Sequence, residues 1–148
     1  MVNTVLRNIS FVAFGFAALG LALLASMKSL FSSDPVGIVV QVLAVGLMLW
    51  ARITFGRRSY HAGANPTQGG LVTSGPYRFI RHPIYAAVTY FAWAGALSHP
   101  SKVTIAVAII ITLSLLMRML LEEQLVIVAY PEYKEYSKKV KRLIPFLF

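Results

Sequence analysis

The chain has no cysteine among its 148 residues, which excludes disulfides, thiolate metal sites and a cysteine nucleophile. Its histidines, His61, His82 and His99, are too scattered to suggest zinc. No segment repeats at a fixed period, which excludes a solenoid or array. Acid is scarce: five Asp and Glu stand against fourteen Lys and Arg, a formal charge of +9. What the chain has in excess is apolar surface. Hydrophobic residues make up 57% of it, and the mean hydropathy of +0.69 lies far above the range of soluble domains.

Four apolar runs carry that excess: Ile9 to Met27, Val36 to Ala51, Pro83 to Leu97, and Val103 to Leu121, the last broken only by Arg118. Each is near the roughly 20 residues that a helix needs to cross about 30 Å of hydrocarbon. The two shorter runs are extended by Arg52 and Arg81, whose long side chains reach the interface. The first run follows Arg7 and has small residues near its end, as a signal peptide would. Its apolar core is longer than a signal peptide's, so a retained span is expected. The expected fold is all-α: an integral membrane bundle of four transmembrane helices forming a single domain over residues 1–148.

The basic residues orient this bundle. Arg52, Arg57, Arg58, Arg78 and Arg81 crowd one connection that has no acid, and Lys134, Lys138, Lys139, Lys141 and Arg142 crowd the tail. Two spans separate these regions, so both lie on one side, which the positive-inside rule makes cytoplasmic. Both termini are then cytoplasmic, and a prokaryotic cell membrane is the expected location. Nucleic acid is not the expected partner of this charge. It flanks spans and does not stripe a soluble domain, so anionic lipid headgroups suit it better.

The first two runs carry small residues such as Gly15, Gly20 and Gly46 and no ionisable group at depth, so residues 1–55 read as a two-helix scaffold. Between Gly56 and Gln68, Gly63 and Asn65-Pro66 predict an irregular loop, longer than a simple connector needs. Gly75-Pro76 predicts a turn, Tyr77 to Arg81 a short interfacial helix, and His82-Pro83 a helix start. The fourth helix should continue through Ala129 until Pro131 stops it. Glu132 to Arg142 then reads as an amphipathic interfacial helix, with Tyr133, Tyr136 and Val140 on one side and Glu135 paired to Lys139. Pro145 to Phe148 should tuck back.

Two polar groups interrupt the apolar pattern. Arg118 and Glu122 are one helical turn apart and face one way, with Glu123 rotated by about 100°. His82 and Tyr85 are three residues apart at the mouth of the third helix. Each group alone has a plain reading, an ion pair anchoring a helix end or an interfacial anchor at a helix start. Together they say more, because the third helix starts and the fourth ends on the same side. Both groups then meet at one depth, beside the glycine-rich loop.

The run Gly75-Pro76-Tyr77-Arg78-Phe79-Ile80-Arg81-His82-Pro83-Ile84-Tyr85, then Arg118-x-x-x-Glu122-Glu123 and the Tyr133-x-x-Tyr136…Ile144-Pro145 tail, resembles the isoprenylcysteine carboxyl methyltransferase family. Phospholipid N-methyltransferases share much of this pattern. The resemblance runs from about residue 56 to the C-terminus and makes residues 56–148 the cofactor-binding and catalytic half. It implies S-adenosyl-L-methionine as methyl donor, S-adenosyl-L-homocysteine as product, and a lipophilic or prenylated acceptor. Carried over residue by residue, the cofactor contacts are Leu71, Val72, Tyr77, His82, Pro83, Ile84, Tyr85 and Glu122. Arg118 falls where the family places an arginine near the acceptor. Three places depart from the family pattern: Gly69, Ala87 and Ala129-Tyr130-Pro131.

The chemistry of these groups agrees with that implication. A carboxylate such as Glu122 suits the donor's ammonium, backbone N–H groups at a helix start suit its carboxylate, and tyrosine faces suit adenine and sulfonium. Arg118 can orient an anionic acceptor group by a bidentate contact. An amine acceptor would need to lose a proton, which makes Glu123 or His82 a candidate base. Two other readings compete. One is a nicotinamide-dependent sterol- or enone-type reductase, for which the loop is small. The other is a non-catalytic membrane module that binds anionic lipid through its tail.

Overall fold

The computed structural model describes residues 2–56, 70–145 and 147–148. Five α-helices run in order as α1 Val2–Ser26, α2 Pro35–Phe55, α3 Pro83–Ser98, α4 Lys102–Ala129 and α5 Tyr133–Lys139, with a 3-10 turn over Gly75–Arg78 before α3. No strand occurs among the described residues, so the all-α expectation holds. The predicted loop from Gly56 to Gln68 lies outside them, apart from Gly56, which caps the end of α2.

Local chemistry sets the helix ends. Asp34 caps α2 by accepting from the Gly37 amide at 2.8 Å, and Pro35 fills the first helical position, where no N–H is needed. Ser101 and Thr104 cap α4 reciprocally: each side chain accepts from the other's amide, at 3.0 and 2.9 Å. His82 precedes α3, whose first residue is Pro83, as the sequence predicts. α1 begins before its apolar run, at Val2, and so takes in Arg7 and Asn8.

Among the described residues, three helices are long and apolar enough to cross a membrane: α1 from Thr4, α2 and α4. α3 is the exception to the four-span expectation. Its 16 residues rise about 24 Å, against about 30 Å of hydrocarbon. His82 at one end and His99 at the other stop it.

α1 packs along α4, while α3 packs between α2 and α4. Ala17, Leu24, Ala92, Val107, Ile111 and Leu115 form the core shared by α1, α3 and α4. The absence of a side chain at Gly20 permits one approach, because a Cβ there would lie 2.6 Å from Ile111 Cγ1. Gly95 permits another, where the backbone of Ser29 and Leu30 crosses α3. Gln41, buried on α2, ties three segments together: its amide donates to the carbonyls of Leu30 (2.7 Å) and Phe91 (3.1 Å) and accepts from the Ser32 amide at 3.0 Å. Trp93 donates to Thr112 at 2.9 Å and joins α3 to α4. The outer faces of α1 and α2 remain apolar and uncovered, as lipid contact requires.

The C-terminal segment differs from its expected form. α5 ends at Lys139, so Lys141 and Arg142 are not helical. Ile80 and Lys141 instead form a parallel bridge, with the Arg81 amide donating to Lys141 (2.7 Å) and the His82 amide to Arg142 (3.0 Å). Those extended-chain bonds replace the last turn of the predicted amphipathic helix. The same pairing leaves the expected Tyr77–Arg81 helix as a 3-10 turn that ends at Arg78. Glu135 pairs with Lys138 at 2.6 Å and not with Lys139, the three-residue spacing being enough on this short helix. The final residues do fold back: the Leu143 and Ile144 amides donate to the Phe148 carbonyl at 2.7 and 2.8 Å.

Candidate active site

The site grows from the junction between the 3-10 turn, the start of α3, the end of α4 and the tail. Gly75 has φ of 56° and lies so close to the Thr54 side chain that a Cβ would not fit, so the turn sits tight on α2. It buries Pro76 and Tyr77, and the Tyr77 ring lies 5.5 Å from that of Phe55. Tyr136 of α5 donates to the Tyr77 carbonyl, and Tyr90 of α3 donates to Leu143 at 2.7 Å. Ile80, Ala86, Met119 and Leu143 form the small apolar core beneath these contacts.

Glu123 is the hub of one polar cluster. Its Oε1 takes Arg81 Nη1 at 2.7 Å, His82 Nε2 at 3.1 Å and the Tyr133 hydroxyl at 3.1 Å. Its Oε2 takes Arg142 Nη2 at 2.9 Å and Nε at 3.1 Å. Two cations, an imidazole and a phenol thus converge on one carboxylate, and they come from the α3 lead-in, α5 and the tail. Desolvation raises the pKa of the Tyr133 phenol, the nearby Glu123 charge raises it further, and Arg81 offsets part of the rise. Burial likewise raises Tyr77 and Tyr136. All three phenols keep their protons at neutral pH.

Arg118, Tyr85 and Glu122 form the second cluster. Arg118 Nε donates to the Tyr85 hydroxyl at 2.6 Å and lies 3.2 Å from Glu122 Oε1, while the Tyr85 hydroxyl donates to the same carboxylate. Arg118 is buried, whereas Glu122 is partly exposed and can be reached by a ligand. The His82 and Tyr85 rings stack with centroids 5.7 Å apart, which joins the two clusters. The imidazole-bearing start of α3 and the acidic end of α4 therefore meet, as the sequence requires.

Of the residues singled out in the sequence, His82, Tyr85, Arg118, Glu122 and Glu123 come together directly. Pro83 is fully buried as the first residue of α3. Tyr77 lies in the buried turn, Leu71 and Val72 are half-buried in the segment leading into it, and Ile84 is half-buried at the start of α3. Of the departures, Gly69 lies outside the described residues, Ala87 is buried in α3, and Tyr130 caps α4. The tail occupies the Arg81 and His82 amides, so the donors of α3's first turn, after Pro83, are those of Ile84 and Tyr85.

Sequence reasoning missed several members. Arg81 and Arg142 read as interfacial and lipid-facing charges, and Tyr133 as one side of an amphipathic helix. One signal was available, since a carboxylate as deep as Glu123 needs cationic partners. Ser10 and Phe14 of α1 gave no signal. The Ser10 carbonyl accepts from Arg118 Nη1 at 3.3 Å, and the Phe14 ring centroid lies 5.1 Å from the guanidinium carbon.

The family model described as phospholipid methyltransferase matches residues 33–133. The match takes in α2, upstream of the region that carries the sequence resemblance. It falls on the phospholipid branch of the pattern and not on isoprenylcysteine carboxyl methyltransferases in particular. The nickel-cobalt-cadmium resistance protein NccN of Alcaligenes xylosoxydans xylosoxydans is 27% identical over 119 residues, covering 77% of this chain and 54% of that protein. The cobalt-zinc-cadmium resistance protein CzcN of Cupriavidus metallidurans is 32% identical over 78 residues, covering 52% of this chain and 36% of that protein. The chain thus spans about half the length, or less, of these curated relatives. No solved structure matches it. Two-thirds of the chain, including both polar clusters up to Tyr133, lies within the matched region, and the chain belongs to the phospholipid methyltransferase family of membrane methyltransferases.

Proposed function

We propose that this chain transfers a methyl group from S-adenosyl-L-methionine to a lipid acceptor, at the junction of α3 and α4 on the cytoplasmic side. The single observation behind this reading is the convergence of His82 and Tyr85 with Arg118, Glu122 and Glu123. α3, with its ends extended by flanking polar residues, is the fourth span, and both termini are cytoplasmic.

The donor set suits the methyl donor. Glu122 presents a partly exposed carboxylate for an ammonium, and the Tyr85 and His82 rings offer faces for a sulfonium and a flat base. Leu71, Val72, Tyr77, Pro83 and Ile84 complete the contact set. When bound, the cofactor supplies an electrophilic methyl group. The protein's part is alignment and exclusion of water, which suffice when the reacting atoms are held about 3–3.5 Å apart.

Arg118 orients the acceptor's anionic group. Both oxygens of Glu123 are engaged, so we assign it to positioning His82 and leave His82 as the base if the acceptor is an amine. A phospholipid headgroup is the acceptor to test first, since the family description names that class. An isoprenylcysteine-like carboxylate is the second.

Metal resistance is named for the two relatives. Among the described residues no group of three or more His, Cys, Asp or Glu side chains is placed to hold a metal ion. A resistance role here would run through methylation of a membrane component. Calorimetry with S-adenosyl-L-homocysteine tests the whole reading. Micromolar binding is expected, and no binding to folded protein would refute it.

A further inference from the structure

Three helices hold the Arg118 guanidinium, and one of them, α1, lies wholly outside residues 33–133. The Nε edge faces Tyr85 and Glu122. The Nη1 edge faces α1, where Ser10 offers its carbonyl at 3.3 Å and Phe14 its ring at 5.1 Å. Ser10 and Phe14 are one helical turn apart, so a single stripe of α1 meets Arg118 twice. Exposure changes abruptly across this contact: Arg118 is 3% exposed and Phe14 is 45% exposed. The ring thus lies between a buried cation and the outer surface of a helix apolar enough to span a membrane. Ser10 is fully buried, and its hydroxyl has no partner among the described residues. An unpartnered hydroxyl is unfavourable in an apolar setting, where alanine would fill the space without it.

We propose that α1 forms the acceptor-side wall of the site, with Phe14 as the positioning residue that holds Arg118 from the bilayer side for a lipid headgroup. The proposal rests on the methyltransferase reading above. The two edges of one guanidinium divide the labour: Glu122, on the Nε side, serves the methyl donor, and α1, on the Nη1 side, serves the acceptor. An aromatic face attracts the cation and limits its swing. An aliphatic side chain of similar volume fills the space without that attraction.

The test uses the full chain in nanodiscs of phosphatidylethanolamine and phosphatidylglycerol, comparing wild type, Phe14→Leu and Phe14→Tyr. In nitrogen-15 spectra the Arg118 Nη1 resonance, assigned through Arg118→Lys, should be ring-shifted in wild type and in Phe14→Tyr, while the Nε–H held by Tyr85 serves as an internal reference. The Nη1 resonance should lose that shift in Phe14→Leu, with the Nε–H unchanged. Transfer of labelled methyl to nanodisc lipid should fall about fivefold in Phe14→Leu and recover in Phe14→Tyr, with S-adenosyl-L-homocysteine affinity unchanged in both. The proposal is overturned if Phe14→Leu keeps the wild-type resonance and turnover, or if it weakens S-adenosyl-L-homocysteine binding as much as it slows transfer. Failure of every variant to bind S-adenosyl-L-homocysteine would refute the methyltransferase reading instead, and the Arg118 resonance would still decide the Phe14 contact.

Discussion

Arg118 of α4 donates its Nε–H to the Tyr85 hydroxyl of α3 across 2.6 Å, and that hydroxyl passes its own proton toward Glu122. One phenol thus links the cation and the carboxylate of a single helical turn. Tyr85→Phe removes this link and little else. A hydrogen bond to a charged group is worth about 1.5–3 kcal/mol, so methyl transfer should fall about 10- to 100-fold with the fold intact. Turnover measured beside circular dichroism checks this.

Glu122 and Arg118 should separate by substrate. Glu122→Gln is expected to weaken S-adenosyl-L-homocysteine binding, whereas Arg118→Ala mainly slows transfer to the acceptor. Calorimetry and kinetics on both variants decide it, and equal small effects on both quantities would refute the division.

Glu123 should matter more for stability. It is nearly buried and balances Arg81 and Arg142. Removing one partner of a buried ionic cluster costs about 3–5 kcal/mol. Glu123→Ala should therefore lower the melting temperature sharply and release the tail to carboxypeptidase. Glu135→Ala breaks only the exposed pair with Lys138 and should do neither.

Gly95→Ala should destabilise more than Gly20→Ala. A methyl group at position 20 meets the end of a side chain, Ile111, whereas one at position 95 meets the backbone of Ser29 and Leu30. Overpacking costs about 1–3 kcal/mol where neighbours can adjust, so Gly20→Ala should fall in that range and Gly95→Ala above it. Thermal unfolding in detergent ranks them.

The tail should loosen in alkali. The pKa values of Tyr77, Tyr133 and Tyr136 are raised in the folded chain, first by burial. The unfolded chain loses these protons near pH 10 while the folded chain keeps them. Their stabilisation is thus complete below about pH 10 and is lost as pH rises beyond it. Tail protection, followed by hydrogen exchange or proteolysis, should fall in that range, and Tyr136→Phe should reduce the slope.

Much of this arrangement is legible in the chain itself. Four apolar runs predict four of the helices, His82-Pro83 marks the start of α3, and the Arg118–Glu122 spacing predicts one shared face. That the two polar groups meet at one end of the bundle follows from the order of the helices alone. What the residues hide is long-range register. Nothing local to Lys141 or Arg142 says that their carbonyls will pair with the Arg81 and His82 amides, and the helical period of the sequence runs through both. Ser10 and Phe14 are hidden for the same reason. An apolar stripe on α1 looks alike at every turn until α4 fixes which turn faces Arg118.

The shortness of α3 has a consequence for the surrounding lipid. On the proposed reading of α3 as the fourth span, its sixteen residues are about 6 Å shorter than a full hydrocarbon slab. A span that short would draw the leaflet inward at one of its ends, and the proposed site at His82 is the end where this would matter. A lipid acceptor would then approach the proposed site through a local depression in its own leaflet, without leaving the bilayer. Thin membranes relieve that mismatch and thick, sterol-rich ones oppose it, so bilayer thickness itself becomes a control on turnover.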